Sequence, residues 1–196
     1  MKNKFYQGLD IEETLRTLDL VSSGGVHRDI VMHLKSAKAG NIAGESDRLY
    51  PDGKPGLPLL GYFFGTGNIA APSFSDPDGK ERSRANEYTP LRVIRESDAA
   101  TASIMSLTRG DQTLEVDIQV FKASGDANVK DNKATLRIVL SESRVEAMTL
   151  VAGGVGDGRP LEIVDFAFRK IQIETAPQQN TGQRGAVRTF IDSRST

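Results

Sequence analysis

The chain has no cysteine among its 196 residues, which removes two classes of architecture at once. Neither a disulfide framework nor a thiolate metal site can be built without it. A cysteine-free chain suits a reducing cytoplasm, and it equally suits a protein that passes between compartments. An excess charge of one sign is missing too: 25 Lys and Arg stand against 26 Asp and Glu, for a net charge of -1. Nucleic acids and anionic membrane surfaces select a basic excess on one face, so neither is an expected partner. No apolar run approaches the roughly 18 residues of a transmembrane helix, and no membrane insertion is expected. The start, MKNKFYQGLD, carries two Lys but no apolar stretch of a secretory signal behind them. A protein with this start that leaves the cell does so by a route that ignores the general signal.

Catalytic and metal signatures are equally scarce. The only histidines are His27 and His33; that pair matches no ligand spacing and has no acidic cluster beside it. No nucleophile elbow and no other nucleophile-and-base signature occurs. The glycines at 153, 154, 156 and 158 lie between strand patterns rather than before a helix, so they fit no phosphate-binding loop. Asp76 and Asp78-Gly79 hint at a calcium loop but lack its third acid and its closing Glu. The expectation is no enzyme, no cofactor and no metal.

What is present is alternation. Residues 1–27 form a leader in which Asp10 and Glu13 make a capping pair, and Ile11, Leu15 and Leu18 share one helical stripe. This predicts an amphipathic helix over about 11–22, too short to stand alone; its stripe docks on the chain's own body or on a partner. From Arg28 the period becomes two: Ile30, Met32 and Leu34 oppose Asp29, His33 and Lys35. Strands follow at Leu57–Gly65 and Pro90–Glu96, the two flanking a 66–88 segment rich in Pro, Gly and charge, long for a loop inside a compact domain. Ser97 or Asp98 caps a helix over Ala99–Arg109, with Ala102, Ile104, Met105 and Leu107 apolar and Gly110 past its end. Leu114 to Val120 and Leu136 to Leu140 alternate strictly, and Val145–Val151 continues after a polar Ser141–Arg144 turn.

The last strand region changes its apolar parity. Val164, Phe166 and Phe168 lie on one face, while Ile171 and Ile173 lie on the other. One flat ladder cannot hold both sets, so a bulge near Arg169-Lys170, or burial of different faces at the two ends, is required. Curved and closed sheets use such features. The expected fold is therefore mainly β: a barrel of about eight antiparallel strands over 28–196, one short helix covering an opening, and the N-terminal helix of the leader.

These blocks, in their order, resemble the haemolysin-coregulated proteins (Hcp), the tail-tube subunits of type VI secretion. The segment PLEIVDFAFRKIQIETAPQQNTGQRGAVRTFIDSRS is similar to the family's C-terminal strand, Pro/Gln turn and last strand. TPLRVIRESDAATASIMSLTRGDQTLEVDIQVFKA is similar to its central strand, helix and strand, and ATLRIVLSESRVEAMTLVAGG to the next hairpin. Gly40-Asn41-Ile42-Ala43-Gly44-Glu45-Ser46 matches a family turn, and LPLLGYFFGTG sits where the family has an aromatic strand. The likeness covers Arg28 to Ser193.

The resemblance implies a structural subunit that closes into hexameric rings, stacks into the inner tube within a contractile sheath, and is injected with effectors. Its implied partners are further copies of itself, the sheath, spike and baseplate proteins, and the effectors. Its implied location is the bacterial cytoplasm during assembly, followed by secretion without a signal peptide. Residues 66–88 correspond to the family's extended loop, which makes Phe74, Asp76, Asp78, Lys80, Glu81 and Arg82 the implied ring-stacking residues. The leader, and the loops at 47–58 and 66–88, depart from the family pattern and point to a specialised subunit. The alternative function is a ring acting as a chaperone or receptor for effectors without extended tube formation. A small hydrolase on a barrel scaffold is disfavoured by the missing nucleophile and base.

Overall fold

The computed structural model describes residues 10–23, 28–50, 52–69, 85–110, 112–122, 134–152, 160–176 and 185–193. Helix α1 (Ile11–Ser23) precedes β1 (Arg28–Ser36), β2 (Gly40–Asn41), β3 (Leu57–Pro58), β4 (Gly61–Phe63), β5 (Thr66–Ile69), β6 (Ala85–Tyr88) and β7 (Leu91–Glu96). Helix α2 (Thr101–Leu107) then leads to β8 (Leu114–Lys122), β9 (Leu136–Val151), β10 (Leu161–Ala167), β11 (Lys170–Thr175) and β12 (Arg188–Ser193). Every strand pair is antiparallel.

The pairings run in a circle. β1 pairs β8, β8 pairs β9, β9 pairs β10, β10 pairs β7 and β7 pairs β4. The segment that holds β4 also holds β3, and β3 pairs β1. Between them the Leu59 amide donates to Ile30 O at 2.9 Å and the Leu60 amide to Ile94 O at 2.8 Å. One short stretch, expected to be a single strand, therefore divides its hydrogen bonds between two neighbours and joins the sheet's ends. Fully satisfied backbone is what closure supplies.

β9 and β10–β11 form a bent hairpin through both sides of this barrel. The first part of β9 pairs β8 and β11, while its second part pairs β10. Both strands change core-facing parity at the bend. On β9 the buried set passes from Ile138 and Leu140 to Ser143 and Val145; on its partner it passes from Val164, Phe166 and Phe168 to Ile171. The break falls at Phe168-Arg169, beside the expected position, and a register shift lies at Asp165/Phe166. Glu142 takes a positive φ of 51° at the bend, a conformation that branched or bulky residues avoid. Its carboxylate meets Lys170 Nζ at 2.8 Å across the corner, and that hydrogen bond holds the Glu142 pKa below its ordinary value. The 145–151 segment, expected as a separate strand, is thus the continuation of β9.

The core fills the barrel with Met32, Leu34, Leu57, Val93, Val116, Ile118, Leu140, Val164 and Phe166. α2 adds Ile104 and Leu107 to it. The helix is shorter than the expected 99–109, and its apolar face is narrower, since Ala102 is exposed and Met105 is 44% exposed. Sequence periodicity marked four apolar positions; only those pointing into the barrel mouth are covered. The 66–88 segment also corrects its expectation at both ends, where β5 and β6 pair as a hairpin.

Between its pairings with β3 and β2, the edge of β1 is completed by a side chain. Tyr50, 6% exposed, brings its hydroxyl to the Leu34 amide, from which it accepts, and to the Leu34 and Ile42 carbonyls, to one of which it donates. Burial pushes the phenol up to about 12, so it stays protonated. Tyr50→Phe should leave the Leu34 N–H buried without a partner and cost about 1–3 kcal/mol; a urea melt with an unchanged slope checks this.

Candidate functional site

The face of the sheet opposite the core is polar and ordered by register. His33 of β1 pairs Asp117 of β8, which stands opposite Val139 of β9, then Gln172 of β11 and Ile191 of β12. The neighbouring row runs Val31, Gln119, Arg137, Glu174 and Thr189. Side chains in such rows are within reach of one another. Arg137 binds Asp117 through two hydrogen bonds of 2.9 Å and lies 3.8 Å from Glu174. Gln119 also donates to Asp117, at 3.0 Å, and Gln172 donates to Glu174 at 2.6 Å. The charges on this face are largely spent on each other.

The 44–56 loop overlies the β1 end of the face. Its closeness is set by glycines: a Cβ on Gly44 would lie 2.4 Å from Gly56 O, and one on Gly56 would lie 2.6 Å from Val31 Cγ2. Arg48 reaches back to Asp29 at 2.9 Å and stacks on Phe121, 3.9 Å from the ring centroid. Between this loop and the sheet runs a groove of about 680 Å³, with His33, Arg48, Leu49, Phe121, Arg137 and Glu174 among its walls.

His33 is half-buried there, its ring 4.2 Å from the Tyr50 ring and its Nε2 buried without a partner. Burial lowers its pKa, Arg137 adds to the lowering, and Asp117 opposes both. The folded value lies below the ordinary 6.5, so below that pH the unfolded chain takes up the proton first. Stability should be greatest above that pH and decline as pH falls towards the folded value, levelling off beneath it. Melts at neutral and mildly acidic pH check this; His33→Gln should flatten the part of the profile that His33 contributes.

A third feature is the free strand β12. Among the described residues it pairs only β11, which leaves its second edge without a partner strand there. Phe190 stands opposite Ile173, on the core side of the sheet, yet is 49% exposed; Ile191 on the other face is 68% exposed and Val187 47%. The strand runs past the barrel's own cover. It is held at its base by Tyr88, whose hydroxyl donates to Asp192 and whose ring packs against Phe64 and Phe168 at 5.8 Å.

Inside the barrel mouth, Arg95 and Glu162 face each other across β7 and β10, both 0% exposed. Arg95 Nη1 donates to Glu162 Oε2 at 3.1 Å, and its second arm meets Asp98. Thr101 at the start of α2 donates to Glu162, while the Asp98 carboxylate accepts from the Ala100 amide at 2.8 Å. The cluster ties the plug helix to two strands.

Of the sequence-derived sites, Phe74, Asp76, Asp78, Lys80, Glu81 and Arg82 lie outside the described residues, as does His27. In the leader, the structure places Ile11 at 41% exposure and Leu15 and Leu18 half-buried, with Thr14 fully buried between them. Sequence reading did not single out Tyr50, the Arg95 cluster or β12's exposed apolar residues. The described residues hold no group of three or more His, Asp or Glu that could bind a metal. None of their helices is long and apolar enough to cross a membrane.

Together these features define a class: a mainly antiparallel β-barrel protein, plugged by a short helix, with a polar sheet face and an open edge strand. The model of the family described as "Type VI secretion system effector, Hcp" matches residues 34–174, and the chain belongs to that family. Solved structures share the fold. One titled as a type six secretion system protein superposes with a TM-score of 0.65 at 21% identity, covering 84% of this chain and 95% of that one. Hcp1 from Salmonella typhimurium gives 0.59 at 15% identity, with 84% and 95% coverage. Hcp3 from Pseudomonas aeruginosa gives 0.54 at 15%, with 87% and 100%. No curated protein matches significantly.

Proposed function

We propose that this chain is a non-enzymatic tail-tube subunit: it closes into hexameric rings that stack into the injected inner tube and carry effectors. The observation that carries this reading is β12, whose second edge has no partner strand among the described residues and whose Phe190 lies on the core side of the sheet, half in water. A strand edge with exposed apolar side chains is a template for another chain. Where this edge meets a different surface of the next copy, the contact is heterologous, and head-to-tail contacts of that kind close into rings. On this reading the polar face of β1, β8, β9, β11 and β12 lines the lumen. Asp117, Arg137 and Glu174 on it are paired within the subunit, which reduces the strong handles for a passing chain to stick to. Phe74, Asp76, Asp78, Lys80, Glu81 and Arg82 remain the proposed stacking residues, 28–196 the proposed barrel domain, and 1–27 an appended leader.

The groove beneath the 44–56 loop supports the second reading, a ring that holds an effector without extending into a tube. Light scattering followed by negative-stain imaging separates these. Six-fold rings at about six times 21.3 kDa are the expected result, with stacks at higher concentration. Rings that never stack favour the receptor, and a monodisperse monomer at high concentration overturns both.

A further inference from the structure

The 44–56 loop closes over a second, smaller core that the main one does not include. Val31 is 0% exposed and Phe121 5% exposed, yet both lie on the polar face of the sheet and outside the main core cluster. The loop covers them: Gly56 presses on Val31, and Arg48 stacks on Phe121.

This cover is a unit of its own. The Gly44 amide donates to Pro55 O at 3.0 Å, the Tyr50 amide to Lys54 O at 2.7 Å and the Gly56 amide to Arg48 O at 2.6 Å. Ile42 and Leu57 hold its two ends in the main core. Between those ends, Arg48 binds Asp29, Asp52 accepts from Asn41 at 2.9 Å, and the Tyr50 hydroxyl caps β1. A segment tied down by so few side chains can open while the rest stays folded.

His33 lies under the cover. A Cβ on Gly56 would stand 2.9 Å from its Nε2, which is buried with no hydrogen-bond partner among the described residues. A neutral ring tolerates that place with a bare lone pair. An imidazolium carries N–H on both nitrogens, and one of them would face the Gly56 backbone, out of water and without an acceptor. The surrounding charges do not supply that acceptor. Asp117 of β8 stands opposite His33, but its oxygens already accept from Arg137 and Gln119. Arg137 of β9 and Arg48 of the loop are cations, and the Tyr50 phenol stays protonated. Asp52 is held by Asn41, Asp29 is bound to Arg48, and Asp47 is exposed in the groove wall. Lys35 and Glu115, the next pair along the two strands, are exposed.

We propose that the 44–56 loop is an acid-released cover: a proton on His33 lifts it from β1 and β8, baring Val31 and Phe121 while the barrel stays folded. The groove beside them, about 680 Å³ when covered, then opens into an apolar strip. The proposal is independent of ring formation. In the lifted loop His33 regains its ordinary pKa of 6.5, above the value it has when covered. Opening therefore grows as pH falls below 6.5, by at most about tenfold per pH unit, and levels off beneath the covered value.

The absence of cysteine supplies the probe. Val31→Cys in the full chain places a single thiol beneath Gly56, and its rate with a methanethiosulfonate reagent is divided by that of a short peptide thiol at the same pH. That ratio should rise about threefold or more between pH 7.5 and 5.5, and the rise should vanish when His33→Gln is added. A ratio flat with pH, a rise that survives His33→Gln, or a thiol already fully reactive at pH 7.5 overturns the proposal. Should either variant not melt cooperatively, hydrogen exchange on the wild type decides, through the Leu34 amide that the Tyr50 hydroxyl protects. Its opening should grow over the same pH range while the amides of β9 hold steady. A Leu34 amide that does not respond, or an equal change in β9, overturns the proposal.

Discussion

Arg95→Met should be the most damaging single change inside the barrel, costing about 3–5 kcal/mol because it strands buried acids without their cation. Arg95 and Glu162 are both 0% exposed, and the Asp98 side chain is 5% exposed. None of the three can recover water when a partner is removed. For a domain of this size the loss corresponds to a fall of roughly 6–20 °C in Tm. The contrast is informative: Arg95→Met combined with Glu162→Leu and Asp98→Asn removes the charges together, and buried ion clusters replaced as a unit are often neutral or stabilising. Thermal melts of the single and triple variants check both statements. A triple variant as damaged as the single would mean that the hydrogen bonds donated by Thr101 and by the Ala100 amide matter more than the charges, since α2 is seated through them.

This cluster also shows where sequence reading stops. Glu162 lies between Leu161 and Ile163, and Arg95 lies next to Glu96 at the end of its strand, so each charge reads as an outward-facing position. Only the register, which places them opposite each other on the core side, shows that they are buried as a pair. The parity switch of β10–β11 was legible because Phe168 and Ile171, apolar on both sides of the break, mark it. The matching switch in β9 falls on Ser141, Glu142, Ser143 and Arg144, where no apolar side chain records which way the strand faces, and so one long strand reads as two. Tyr50 lies in a stretch whose Pro and Gly content announces turns, which hides a hydroxyl that completes a strand edge. Ile94 and Ile163 broke the alternation of their strands visibly. They lie in the row of Gly61, where Leu18 of a helix distant in sequence packs, and no local pattern carries that information.

In the proposed ring, Phe190→Asp should leave a monomer and keep the barrel's melt nearly unchanged. The two halves of that expectation have separate causes. Within the subunit Phe190 is half in water, so a carboxylate there loses little burial, and exposed substitutions of this kind usually stay within about 0.5 kcal/mol. Between subunits, the same side chain would lie where the neighbour covers the core side of β12. Truncating an aromatic anchor at the centre of an interface typically costs about 2–4 kcal/mol, and a buried carboxylate without a partner costs more. A closed ring repeats the loss at every junction, so a change that weakens one contact modestly removes the ring altogether. Ile191→Asp is the control on the other face. It projects beside Gln172 on the polar side, the proposed lumen face, which a neighbour covering the core side leaves open, and it should leave ring mass unchanged. Light scattering at matched concentrations reads both variants. If Ile191→Asp breaks the assembly and Phe190→Asp spares it, the copies meet through the polar face instead, and that face cannot be the lumen.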